Sequence, residues 1–60
     1  MRSDRHVQLE YMIDHCANYS ERLNDWERGF IEALSDKLER FGDLTEKQAK
    51  KLEQIYYRLP

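Results

Sequence analysis

Residues 24–48 read NDWERGFIEALSDKLERFGDLTEKQ, and this stretch contains two helix starts and one helix stop. Asn24 followed three residues later by Glu27 resembles a capping box, in which each side chain satisfies the other's backbone amide, with Asn in place of the usual Ser or Thr. Asp25 adds negative charge at the positive end of the helix dipole. Gly42 supplies the left-handed residue that ends many helices, and Lys37 and Arg40 in the preceding turn favour the negative end. Thr45 and Gln48 then form a second capping box. The spacing predicts a second helix near 25–41 and a third near 46–58. The link Gly42-Asp43-Leu44 is so short that the two must double back as a helical hairpin, with Leu44 plugging the turn.

Inside the second helix, Trp26, Phe30, Ala33, Leu34, Leu38 and Phe41 lie on one broad face, while Arg28, Glu32, Asp36 and Glu39 turn away. That face is expected to be the main contributor to the core. Lys37 falls in the middle of it, which suggests an alkyl stem laid on apolar neighbours with the amine reaching water. The third helix carries a narrower stripe of Leu52, Ile55, Tyr56 and Leu59, with Ala49 at its edge. Upstream, Leu9, Met12, Ile13, Cys16 and Ala17 recur at i, i+3, i+4, i+7 and i+8 and predict a first helix near 4–18, capped by Ser3 and followed by the weak helix formers Asn18-Tyr19-Ser20. The expected fold is all-α and a single small domain over 1–60. The hairpin of helices 2 and 3 carries helix 1 packed on it or swapped in a dimer. Its expected core is Leu9, Met12, Ile13, Cys16, Trp26, Phe30, Leu34, Leu38, Leu52, Ile55 and Tyr56.

A chain of 60 residues hides only about 60% of the surface its unfolded form exposes, so a lone core is marginal and self-association is expected. The net charge of −2 gives no overall attraction to nucleic acid or membrane. Its distribution is uneven: residues 1–22 carry −1, residues 23–43 carry −3, and residues 44–60 carry +2. The single cysteine, Cys16, excludes an intrachain disulfide. Neither a signal-like apolar run at the start nor a membrane-length apolar segment occurs, which favours a cytoplasmic location and no membrane partner.

Several residues invite a functional reading. Gly29 costs about 0.8–1 kcal/mol against Ala inside a helix, and with Ala33 four residues on it would let another helix approach closely. Val7 and Tyr11 project opposite the Leu9/Met12/Ile13 face and form a second candidate partner surface. Lys47, Lys51 and Arg58 line one flank of the third helix, with Lys50 and Tyr57 on the neighbouring polar face. Such a row could track phosphates while the tyrosine stacks on a base. His6, Glu10 and Asp14 recur at i, i+4 and i+8 but lack the further His or Cys neighbours that zinc requires, so they read as a solvated charged face. His15 and Cys16 point about 100° apart around one helix and cannot pair for catalysis. No phosphate loop, serine elbow or paired-carboxylate cleft is present, and no catalytic residue, metal or cofactor is expected.

Residues 23–59 also carry Leu23-Asn24-Asp25-Trp26-Glu27-Arg28-Gly29-Phe30-Ile31-Glu32, then Leu44-Thr45-Glu46-Lys47-Gln48, then Leu52-Glu53-Gln54-Ile55-Tyr56. This order resembles short helical modules of small phage and prophage proteins, with a W-E-x-x-F-I first helix and an L-T-x-K-Q-x-x-x-L-x-x-I-Y second. The shared residues are caps and core, so the resemblance implies a fold and transfers no functional residue. It implies two kinds of work: docking on a host or viral protein, or accessory service to viral DNA metabolism. The function expected from the whole sequence is a non-enzymatic protein–protein interaction module, a homodimer or a small adaptor or inhibitor, with a nucleic-acid accessory as the alternative. The expected interaction surface is helix 1, through Val7 and Tyr11, with the acidic outer face of helix 2 setting orientation.

Overall fold

The computed structural model describes residues 4–60, so the proposed cap Ser3 lies outside the described residues. Three helices follow one another: α1 over Asp4–Asn18, α2 over Asp25–Phe41 and α3 over Glu46–Arg58, with a 3-10 turn at Ser20–Arg22 between the first two.

The helix ends follow the local chemistry. At the start of α2, the Asn24 amide donates to Glu27 Oε1 at 3.1 Å and the Glu27 amide donates to Asn24 Oδ1 at 2.7 Å. Thr45 and Gln48 repeat the reciprocal pair at 3.0 and 3.2 Å at the start of α3. Each box satisfies two amides that the first turn leaves open. Gly42 closes α2 with φ 76°, its amide donating to the Leu38 carbonyl at 2.8 Å. That left-handed conformation is costly for a residue with a Cβ. Leu44 is buried directly after the turn, as the short link requires.

α1 packs against both α2 and α3, and the direct contact between α2 and α3 is the slightest of the three. The core holds Leu9, Met12, Ile13 and Cys16 of α1; Leu23; Ile31, Leu34 and Leu38 of α2; Leu44; and Ala49, Leu52 and Ile55 of α3. Phe30, Tyr56 and Leu59 pack against it and are partly buried. Polar bonds fasten the two ends of α1. Arg5 Nε donates to Asp43 Oδ1 at 2.9 Å and His6 Nδ1 donates to the Gly42 carbonyl at 3.1 Å, holding one end against the α2–α3 turn. His15 Nε2 donates to the Pro60 carbonyl at 2.9 Å at the other.

One expectation about the core is overturned. Trp26 is 59% exposed and Phe41 75% exposed, Ala33 faces solvent, and Phe30 is only half-buried. The inward stripe of α2 is instead Glu27, Ile31, Leu34 and Leu38, which repeats the i, i+4, i+7, i+11 spacing one residue later, about 100° around the helix. The physical reason is Glu27. Its carboxylate is 6% exposed but fully bonded, accepting from the Asn24 amide at one oxygen and from the Arg58 guanidinium of α3 at the other. A bonded carboxylate can enter the interior without the penalty of an unpartnered one, and the helix rotates accordingly.

Candidate interaction surfaces

A three-helix arrangement has three seams, and in this chain they differ in chemistry. Along α1 and α3 the seam is aromatic. Tyr11 meets Tyr56 edge-on at 6.3 Å between centroids, His15 meets Tyr56 edge-on at 5.0 Å, and His15 lies 4.9 Å from Tyr19. Tyr57 adds a further edge contact to Tyr56 at 5.4 Å. Edge-to-face geometry is the favoured arrangement for such rings. Desolvation, helped by the nearby Tyr11 hydroxyl, pushes the Tyr56 phenol above its usual range. Val7 and Tyr11 are both exposed, as expected, but Tyr11 is already committed to this seam on one flank.

Between α2 and α3 the seam is bridged by charge and carries the exposed aromatic pair. Trp26 and Phe30 stack with centroids 5.1 Å apart and planes within 9°. Lys51 of α3 places its Nζ 5.4 Å from the centre of the Trp26 ring, a cation–π contact. Two turns further along α3, Arg58 reaches Glu27. The Asn24 amide, then Arg58, holds the Glu27 carboxyl below its ordinary range. Gly29 and Ala33 lie on the exposed surface of α2 beside this stripe, and a Cβ built on Gly29 would meet no atom within 4 Å. Its glycine therefore answers to no close approach inside the chain.

Between α1 and α2 runs an open groove of about 570 Å³. Its floor is apolar, made by Ile13, Ile31 and Leu38, and its walls are acidic, with Glu10 and Asp14 on the α1 side and Glu32 and Glu39 on the α2 side. His6 stands at one end and pairs with Glu10 at 3.5 Å.

The residues singled out in the sequence thus fall on different seams. Val7 and Tyr11 belong to α1, with Tyr11 on its α3 side, whereas Gly29 and Ala33 border the Trp26 stripe, so the four do not form one patch. The basic row of α3 is likewise divided: Arg58 and Lys51 contact α2, while Lys47 on the same flank and Lys50 and Tyr57 on the neighbouring face are exposed. Cys16 is buried, and desolvation pushes its thiol up, so it is a poor nucleophile. Among the described residues no helix is long and apolar enough to cross a membrane.

Sequence reasoning missed Ile31 and Leu23 as core, Glu27 as the polar tie between α2 and α3, and the acidic groove. A signal for the first two was present, because Ile31, Leu34 and Leu38 share a stripe. The groove had none, since its walls come from two helices whose mutual rotation is set by tertiary packing. Comparison with protein-family models, with curated proteins and with solved structures finds no match to this chain.

Proposed function

We propose that this chain is a non-enzymatic protein–protein interaction module that binds through the outer stripe of α2, formed by Trp26, Phe30, Ala33 and Phe41 with Gly29 beside it. The observation that supports this reading is the Trp26 ring, 59% exposed and stacked on the half-buried Phe30, with Phe41 75% exposed on the same stripe. Burying one such side chain is worth about 1.5–3 kcal/mol, and aromatic anchors of this kind dominate the energetics of interfaces. Gly29 supports the same reading. It weakens an exposed helix interior, and the space above it is open to the backbone of an incoming helix. Lys51 sits at the rim, where it keeps its charge in water while shielding one side of the indole.

A second copy of the chain is the first partner this surface serves, because so small a core benefits from further burial. A host or viral protein offering a helix would engage the same stripe. The test is solution mass by light scattering across about a tenfold dilution at about 0.15 M salt, where charge effects beyond about 8 Å are screened. The expected result is a mass above that of one chain that falls on dilution and is lost in Gly29→Leu. A monomer at every concentration, with Gly29→Leu indistinguishable from it, contradicts the reading.

A further inference from the structure

We infer that the α1/α2 groove is a second docking surface, and that its occupant is a basic amphipathic helix of a partner protein. Four carboxylates line the groove, those of Glu10, Asp14, Glu32 and Glu39, and no lysine or arginine does. These four outweigh the chain's whole net charge of −2, so the rest of the chain taken together is net positive. The arginines at the two ends of the groove are occupied. Arg28, beyond Glu32, donates to the Ser20 carbonyl at 2.9 Å and pairs with Asp25 at 3.5 Å, and Arg5, beside Gly42, is held by Asp43 at 2.9 Å. His6 pairs with Glu10 at 3.5 Å, and among the described residues no ion pair engages Asp14, Glu32 or Glu39.

The shape of the groove suits a helix. α1 and α2 run antiparallel, because Arg5 and His6 near the start of α1 are bonded to Asp43 and Gly42 just past the end of α2. Each wall is about three turns long: His6 to Ala17 on α1 and Ile31 to Gly42 on α2 both span about 16 Å at 1.5 Å per residue. α3 covers one side of this helix pair, and the groove is the other side, the place that a fourth helix fills in a bundle. Glu10 and Asp14 stand about 6 Å apart along α1, and Glu32 and Glu39 about 10.5 Å apart along α2. Cations at i, i+4 and i, i+7 of a third helix repeat those spacings. Between the walls the exposed side chains are small, Ala17 and Ser35, above the buried Ile13, Ile31 and Leu38, which leaves room for larger side chains from the partner. Val7, 54% exposed and three residues before Glu10, extends the apolar contact over the α1 wall.

The same arrangement suits other ligands poorly. Among the described residues no three His, Cys, Asp or Glu side chains are grouped to hold a metal ion, so the charge is spread along the walls and does not converge on a point. Carboxylate walls repel phosphates and therefore nucleic acid. A helix with an apolar seam flanked by Lys or Arg on both sides matches the floor and both walls at once. This contact is independent of the Trp26 stripe, since Glu32 and Glu39 lie more than about 100° from Trp26 around α2.

The probe is a helical peptide of about 15 residues built from Leu, Lys and Ala, with Leu at i, i+4, i+7 and i+11 and Lys on both flanks. It is titrated by calorimetry into the full chain at about 0.05 M salt, and the binding expected there should weaken as salt rises to about 0.15 M. Exposed carboxylates contribute little singly, so Asp14→Asn, Glu32→Gln and Glu39→Gln together should weaken binding about tenfold. Glu21→Gln, Glu46→Gln and Glu53→Gln together remove the same charge away from the groove and should change it about twofold or less. A peptide of the same composition with its Leu residues scattered around the helix should bind about tenfold more weakly. Trp26 emission should not respond, which separates failure here from failure of the α2 interface. The inference is overturned by an absence of binding, by equal losses in the two triple variants, or by equal binding of the scattered peptide. It is also overturned if spermine displaces the peptide at equal concentration, or if the peptide shifts Trp26 emission to the blue.

Discussion

α2 carries two apolar stripes about 100° apart, and their fates are opposite. Ile31, Leu34 and Leu38 are buried together with Glu27, while Trp26, Ala33 and Phe41 are exposed and Phe30 is half-buried. By hydrophobicity alone the aromatic stripe is the better core. It stays outside because burying it would turn Glu27 away from Arg58 and misalign Ile31 and Leu38 with α1 and α3. The difference teaches that one well-bonded carboxylate can fix the rotation of a helix against the pull of larger side chains, leaving an aromatic face available to a partner.

The largest effect separating the stripes should come from Leu34→Ala. Leu34 is 1% exposed, and emptying its site should cost about 2–5 kcal/mol, a large part of the stability of so small a domain. Trp26→Ser, despite removing a bigger side chain, should change thermal unfolding little, with a cost of about 1 kcal/mol or less from the lost stack and cation–π contact. Thermal melts of the two variants at the same low concentration check this. Equal losses would mean that both stripes belong to the core.

Next in size is the tie that sets the rotation. Glu27→Gln keeps an oxygen for the Asn24 amide but removes the charge opposite Arg58, and should cost about 1–2 kcal/mol, less than for a wholly buried pair because Arg58 is well exposed. The sign of the pH dependence follows from the carboxyl's lowered value. Its stabilisation is fully present above the ordinary glutamate value of about 4.5 and fades as pH falls through the lower folded value. Asp43, lowered by Arg5 and then by the Leu44 amide, acts in the same direction. Denaturant titrations from neutral to acid pH should show wild type losing stability more steeply than Glu27→Gln, and parallel curves would remove Glu27 from the account.

The smallest effect is a gain. Gly29→Ala adds a Cβ that meets nothing, so the isolated chain should become more stable by about 0.5–1 kcal/mol. A stabilised monomer that also associates less well would place the open space above Gly29 in an interface. A loss of stability would show that the glycine serves the fold after all.

Much of this architecture was legible in the sequence, because caps are local. Asn24 with Glu27, Thr45 with Gln48, and Gly42 each act within one turn of the chain, and the helix limits they imply coincide with those observed. The rotation of α2 was not legible. Two stripes with the same periodicity compete there, and the contact that chooses between them joins residues 31 positions apart. The candidate surfaces were legible only in part. Val7 and Tyr11 could be placed on the outside of α1 from its own periodicity, but the cluster of Tyr11, Tyr19 and Tyr56 around His15 depends on how α1 and α3 meet. Gly29 could be noticed as an anomaly, but the exposed tryptophan beside it required the helix's true inward face.

The most direct test of the central claim, that the aromatic stripe of α2 lies outside the core and serves a partner, is the fluorescence of Trp26, the only tryptophan in the chain. Emission wavelength and quenching by a small neutral quencher would be followed across dilution at about 0.15 M salt, beside the solution mass. The account predicts red-shifted, readily quenched emission where the mass is that of one chain, moving to blue-shifted and protected emission as the chain associates. Blue-shifted, protected emission in the monomer would place Trp26 in the core and contradict it.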